Sequence, residues 1–143
     1  MTIARITAKR SASEIVSCEA TTQVRDVVKL LAEKRIGAVP ILQAGQVVGI
    51  FSERDVIYRL AAEGEMCLAR PVSDVMTAPA ITVEETTTID DALSLMTKRR
   101  IRHLPVLENG ALKAFISIGD LVKTKMDEVE HEAEAMRSYI QTA

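Results

Sequence analysis

Residues Ala38–Tyr58 read AVPILQAGQVVGIFSERDVIY, and residues His103–Lys123 read HLPVLENGALKAFISIGDLVK. Laid one on the other, the two stretches share Pro40/Pro105, Leu42/Leu107, Gly45/Gly110, Ser52/Ser117 and Asp55/Asp120, always at a spacing of 65. Each reads as two short apolar strands joined by a Gly-bearing turn, then a hydroxyl, then a carboxylate that opens a helix. The pattern predicts strands over Ala38–Leu42 and Val47–Phe51 in the first copy. In the second it predicts His103–Leu107 and Leu112–Ser117, with helices starting near Asp55 and near Asp120.

Working outward, the same shift carries Val16–Tyr58 onto Ile81–Lys123 without a gap. Twelve of the 43 pairs are identical, adding Glu19/Glu84, Thr21/Thr86, Thr22/Thr87, Asp26/Asp91, Leu30/Leu95, Arg35/Arg100 and Ile36/Ile101. Average residue usage would give about 3, so the chain is an internal repeat. Each copy begins with a short apolar strand, Ile15-Val16 or Ile81–Val83, followed by a Thr pair fit to cap a helix, Thr21-Thr22 or Thr86-Thr87. Helical spacing follows at Val24, Val27, Val28 and Leu31, and at Ile89, Ala92, Leu93 and Met96. Arg70-Pro71 and the turn Val72–Met76 lead into the second copy, with Pro71 suited to a helix start. The predicted fold is α/β (α+β): two βαββα units related by a pseudo-two-fold axis, small mixed sheets flanked by helices, and a long C-terminal helix. The expected boundaries are 12–65 for the first repeat, 66–80 for a linker with a lead-in helix, 81–125 for the second repeat and 120–141 for the extended helix. One unit of about 45 residues has too little core to stand alone. The pair should therefore pack face to face, leaving clefts between the copies where ligands bind.

Composition narrows the function classes. Of 143 residues, 48% are hydrophobic and 27% charged, with two Phe, two Tyr and no Trp, so the core must be aliphatic. A net charge of −2 gives no basic field for nucleic acid or an anionic membrane. Cys18 and Cys67 match no metal or redox spacing and read as reduced thiols, which points to a cytoplasmic setting. Residues Met1–Ser13 lack the apolar run of a signal peptide. No segment approaches the roughly 18–20 apolar residues of a membrane helix.

The chemistry-bearing segments are Gly49–Asp55 and Ala114–Asp120. One reading is a capping box at the head of the second helix. The other is a sugar-phosphate site. In it a carboxylate accepts from two neighbouring ribose hydroxyls, while the Ser hydroxyl and free helix N–H groups face an anion. Arg54 can neutralise phosphate. Arg102 and His103 start a strand near the expected phosphates. Arg99, Arg100 and Arg102 also suit a solvated helix end, and His103 also suits a structural role.

These residues resemble the cystathionine β-synthase (CBS) domain, and the doubled unit resembles a Bateman module, in particular small stand-alone bacterial CBS-pair proteins. The resemblance rests on Gly49–Asp55, Ile101–Val106, Phe115–Asp120 and the lead-in Val72–Thr77, and it covers about residues 12–125. It implies adenosyl ligands: AMP, ADP or ATP, with NAD(H) or S-adenosylmethionine as further members, and no catalytic cofactor or metal. By that resemblance Asp55 and Asp120 hold ribose, Ser52 and Ser117 touch ribose or phosphate, and Arg54 and Arg102 meet phosphate. Val16 or Cys18, Ile81 or Val83, Val39 and Leu104 sandwich adenine. Two departures predict unequal clefts. Ala114 replaces Gly49, crowding backbone approach, and Gly37-Ala38 stands where the second copy has Arg102-His103.

The final helix places Val122, Met126, Val129, Ala133, Met136 and Ile140 on a heptad seam. The seam predicts a homodimer, with packing against its own domain as the alternative. No nucleophile triad, metal spacing, P-loop or dinucleotide fingerprint points to an enzyme. The expected function is a regulatory adenine-nucleotide sensor of energy or redox state that acts on a separate, unidentified partner. The alternative is a protein-interaction module with vestigial clefts.

Overall fold

The computed structural model describes residues 1–142 and holds two three-stranded sheets. In the first, β1 (Cys18–Glu19) runs parallel to β2 (Ala38–Gln43), which pairs antiparallel with β3 (Gln46–Ser52). In the second, β4 (Val83–Glu84), β5 (His103–Glu108) and β6 (Ala111–Ser117) repeat that order. The helices are α1 (Ala4–Thr7), α2 (Val24–Lys34), α3 (Glu53–Glu63), α4 (Ile89–Arg99) and α5 (Ile118–Thr142).

The repeat reaches down to backbone detail. Both hairpins turn on two residues with positive φ, Ala44-Gly45 (51° and 78°) and Asn109-Gly110 (51° and 82°). This is the mirror-image turn whose twist matches the strands. Both hairpins slip register at the same place, Ile41/Leu42 and Val106/Leu107. Both first helices end on an arginine in the left-handed region, Arg35 and Arg100. Pro40 lies on the central strand but beyond the end of β1, which pairs only with Ile41 and Leu42, so on that side its missing N–H is not needed.

Two local expectations are corrected. The first strands lie at Cys18–Glu19 and Val83–Glu84, so Ile15-Val16 and Ile81-Thr82 precede the sheets. The Thr pairs do not cap, because each helix starts one residue later. Gln23 heads α2 without a side-chain cap, and Thr88 caps α4 by accepting from the Asp91 N–H at 3.0 Å. Thr87 Oγ1 instead accepts from the Glu84 N–H at 3.3 Å within the turn.

Each repeat has its own aliphatic core. Val24, Val27, Val39, Ile41 and Phe51 fill the first, and Ile89, Met96, Leu104, Ile116 and Leu121 the second. Segments ahead of the repeats complete both. The turn Val72–Asp74 puts Val72 and Val75 into the first core, while Ile3 and Ile6 enter the second. The docking is the same in both. Ile3 N–H donates to Thr87 O and Ala4 N–H to Glu85 O, as Val72 N–H does to Thr22 O and Ser73 N–H to Ala20 O. Ile3 thus corresponds to Val72, a shift of 69 rather than 65, so the stretch between lead-in and β1 is four residues longer in the first copy.

The C-terminal helix splits its faces. Leu121 and Thr124 are buried against the second repeat, and Lys125 pairs with Asp90 on α4 at 2.8 Å. The heptad residues Val122, Met126, Val129, Met136 and Ile140 point outward, 43–70% exposed. No helix among the described residues is long and apolar enough to cross a membrane.

Candidate functional site

Two clefts lie at the junction of the repeats, and each is headed by one of the paired carboxylates. The first, about 250 Å³, is lined by Ser52, Glu53, Arg54 and Asp55 from the first repeat, Thr77 and Ile81 from the connection, and Arg100, Arg102 and His103 from the second repeat. The second, about 310 Å³, is lined by Arg10, Glu14, Val16, His103, Ala114, Phe115, Ser117 and Asp120, among others.

The strand-to-helix corner builds both sites. Ser52 ends β3, and its backbone N–H and hydroxyl both donate to Asp55 Oδ2, at 2.9 and 3.2 Å. The Asp55 N–H returns a bond to Ser52 Oγ at 3.4 Å, closing a capping box. Ser117 and Asp120 repeat it, at 2.8 and 3.2 Å. The capping and binding readings are therefore compatible: Oδ2 holds the helix start while Oδ1 is directed elsewhere. At Asp55, Oδ1 accepts from the Thr77 hydroxyl at 3.0 Å. At Asp120, Oδ1 accepts from Arg10 Nη2 at 2.6 Å. Burial alone would raise the Asp120 carboxyl, but the bonds from Arg10 and Ser117 outweigh it and hold it below the ordinary carboxylate value.

Of the residues expected at a site, Ser52, Arg54, Asp55, Arg102, His103 and Ile81 meet in the first cleft, and Val16, His103, Ser117 and Asp120 in the second. Cys18, Val39, Val83 and Leu104 line neither. Val39, Val83 and Leu104 are buried in the cores, and Cys18 packs against the first core, where burial pushes its thiol up. Arg102 belongs to the Asp55 cleft, which concentrates Arg54, Arg100 and Arg102 there. Arg54 Nη1 donates to the Arg100 carbonyl at 2.8 Å, tying the two repeats across the cleft. Sequence reasoning missed Thr77, Arg100 and Arg10. The repeat shift pairs Arg100 with Arg35, but a helix-end arginine suits a solvated position equally well, while Thr77 and Arg10 lie outside the gapless alignment.

The Gly49/Ala114 difference has a steric cause. A Cβ on Gly49 would stand 2.6 Å from Met76 Sδ and 2.8 Å from the Thr77 carbonyl oxygen, which pairs with Ile50. Gly49→Ala should therefore push the lead-in away, costing about 1–3 kcal/mol and weakening the Thr77–Asp55 bond. Urea denaturation checks this, and an unchanged midpoint would show that the close approach is unimportant. Ala114 itself is buried at the edge of the second core and lines the second cleft.

His103 borders both clefts and stacks on Phe115, with ring centroids 5.4 Å apart and planes at 11°. Burial lowers its pKa, with Arg102 adding to the effect and Asp120 and Glu53 opposing it. The unfolded chain therefore takes up this proton first, so the imidazole contributes stability above pH 6.5 that is lost as pH falls below that value. A proton NMR titration of His103 should find its midpoint below 6.5, and a midpoint above it would contradict the burial.

Comparison with known proteins places this arrangement. The CBS domain profile matches residues 9–62 and 72–127. A solved CBS-domain protein from Burkholderia ambifaria is 37% identical, with a TM-score of 0.81 over 89% of this chain and 95% of that one. The mitochondrial CBS domain-containing protein CBSX3 of Arabidopsis thaliana is 33% identical over 87% of this chain, which spans 63% of that relative's length. The structure of CBSX2 in complex with AMP shares the fold, at 24% identity and a TM-score of 0.74 over 88% of this chain and 96% of that one. With two matched copies covering most of its length, the chain belongs to the CBS domain family, as a tandem pair.

Proposed function

We propose that the protein is a regulatory module that binds adenosyl ligands in the clefts between its repeats and passes occupancy to a separate partner. One observation carries this reading: both helix-heading carboxylates open into inter-repeat clefts, and three arginines gather around Asp55. A ribose supplies the paired hydroxyls that a carboxylate recognises, and guanidinium groups suit phosphate. The AMP complex of a protein of the same fold supports the ligand class. Because Arg54 links the repeats through the Arg100 carbonyl, a phosphate that recruits Arg54 would loosen that tie. The ligand would thereby favour one relation of the repeats over another, as a signal requires. Isothermal titration with AMP, ATP and NADH tests the proposal. Saturable binding of at least one is expected, and no heat from any at about 1 mM would refute it.

A second reading, an interaction module with vestigial clefts, is favoured by the outward apolar seam of α5, where Met126 is 66% and Ile140 70% exposed. Our reading assigns that seam to a second copy of the chain; Ile57 of α3, at the position matching Val122, is likewise outward, 64% exposed. Sedimentation equilibrium should return the mass of two chains.

A further inference from the structure

The two clefts differ in the group that reaches the helix-heading carboxylate. At Asp55 the Thr77 hydroxyl donates to Oδ1, and the Thr77 N–H donates to the Ile50 carbonyl at 2.9 Å. At Asp120 one side chain does both jobs. Arg10 Nη2 reaches Oδ1 at 2.6 Å, and Arg10 Nη1 reaches the Phe115 carbonyl, the counterpart of Ile50, at 3.4 Å. By the lead-in shift of 69, the residue matching Thr77 is Ala8, which has no hydroxyl. Arg10 comes from the stretch that is longer by four residues. The first copy thus brings a guanidinium where the second brings a neutral hydroxyl.

The charge balance shows what that replacement does. Shifting by 65 puts Gly119 where Arg54 stands and Gly37 where Arg102 stands. The Asp120 cleft therefore lacks the counterparts of two cations of its twin. Among the described residues that line it, Arg10 is the one permanent cation, facing Asp120 and Glu14, with His103 depressed towards its neutral form. Without Arg10 an anion entering this cleft would meet two carboxylates.

We propose that Arg10 is the specificity-determining residue of the Asp120 cleft, making it select adenosyl compounds that carry phosphate over those that do not. This rests on the adenosyl reading of the clefts given above. A ribose must displace the guanidinium from Asp120 Oδ1. A phosphate on the same ligand gives the released guanidinium, still held at the cleft by its own loop, a new charge-assisted partner. A nucleoside without phosphate leaves both the broken ion pair and a desolvated cation uncompensated.

The test titrates AMP and adenosine separately into the full chain and into Arg10→Gln and Arg10→Lys, followed by amide NMR. Ala114 and Ser117 report the Asp120 cleft, and Ile50 and Ser52 report the Asp55 cleft. At the Asp120 cleft of the natural chain AMP should bind more tightly than adenosine. In Arg10→Gln that preference should shrink by about tenfold, the worth of one charge-assisted bond, through weaker AMP and unimpaired adenosine binding. Arg10→Lys should retain part of the preference, and the Asp55 cleft should keep its own ratio in every variant. An unchanged ratio at the Asp120 cleft, or equal tightening of both ligands, would overturn the selectivity while leaving the adenosyl reading standing. Failure of both compounds to shift either cleft at about 1 mM would remove that reading and this inference together.

Discussion

Phe51→Ala should destabilise the protein by about 3–5 kcal/mol, the usual cost of emptying a buried aromatic site. Phe51 has no exposure and is the largest fully buried side chain. It lies on β3 in one core with Val24, Val27 and the lead-in residues Val72 and Val75, so its removal opens a void bordered by both the first repeat and the connection. A typical domain holds only about 5–15 kcal/mol in total, so this single change should bring the chain close to unfolding at physiological temperature. Urea denaturation followed by circular dichroism measures it. A loss below about 1 kcal/mol would mean that the first core is far looser than close packing allows. The aliphatic composition sharpens the expectation, since the chain has only two Phe and the other, Phe115, stacks on His103 rather than sitting in a core.

Asp55→Ala should weaken adenosyl-ligand binding at the first cleft by about a hundredfold or more, since two charge-assisted bonds are each worth about 1.5–3 kcal/mol. Its effect on folding should be far smaller, about 1 kcal/mol for the lost cap, because Ser52 Oγ still accepts from the residue 55 N–H. Calorimetric titration and a melting curve on the same sample separate the two quantities. Intact binding in a folded variant would show that the carboxylate serves only the helix. Asp120→Ala differs in an informative way. It also releases Arg10 into the cleft, so AMP should lose less there than adenosine does.

The fold was legible because two periodicities coincide. The 65-residue shift aligned the hairpins, and the Gly45 and Gly110 turns fixed their chain reversal before any packing was known. The positions of Asp55 and Asp120 at helix heads followed from the Ser-x-x-Asp spacing alone. What stayed hidden depended on long-range geometry. The family resemblance casts Val39 and Leu104 as ligand-sandwiching residues, yet both lie on central strands covered on both faces and are buried in the cores. Arg102 sits in the second copy but faces the first copy's carboxylate, because the pseudo-two-fold axis brings opposite repeats together. Arg10 could be found only by noticing that Ile3 and Ile6 match Val72 and Val75 at a shift of 69, which reveals the longer stretch that carries it.

The seating of Ile3 and Ile6 beside Ile116 and Leu121 has a consequence for biosynthesis. On the ribosome Ile3 and Ile6 emerge ahead of both repeats, yet their resting place is not assembled until Leu121 has emerged. The first repeat can close once Thr77 is out, since its lead-in follows it in the chain. The second must wait to recapture a leader made more than a hundred residues earlier, a long loop closure of the kind that slows folding. During that interval the oily leader stays uncovered, a natural handle for chaperones that attend nascent chains.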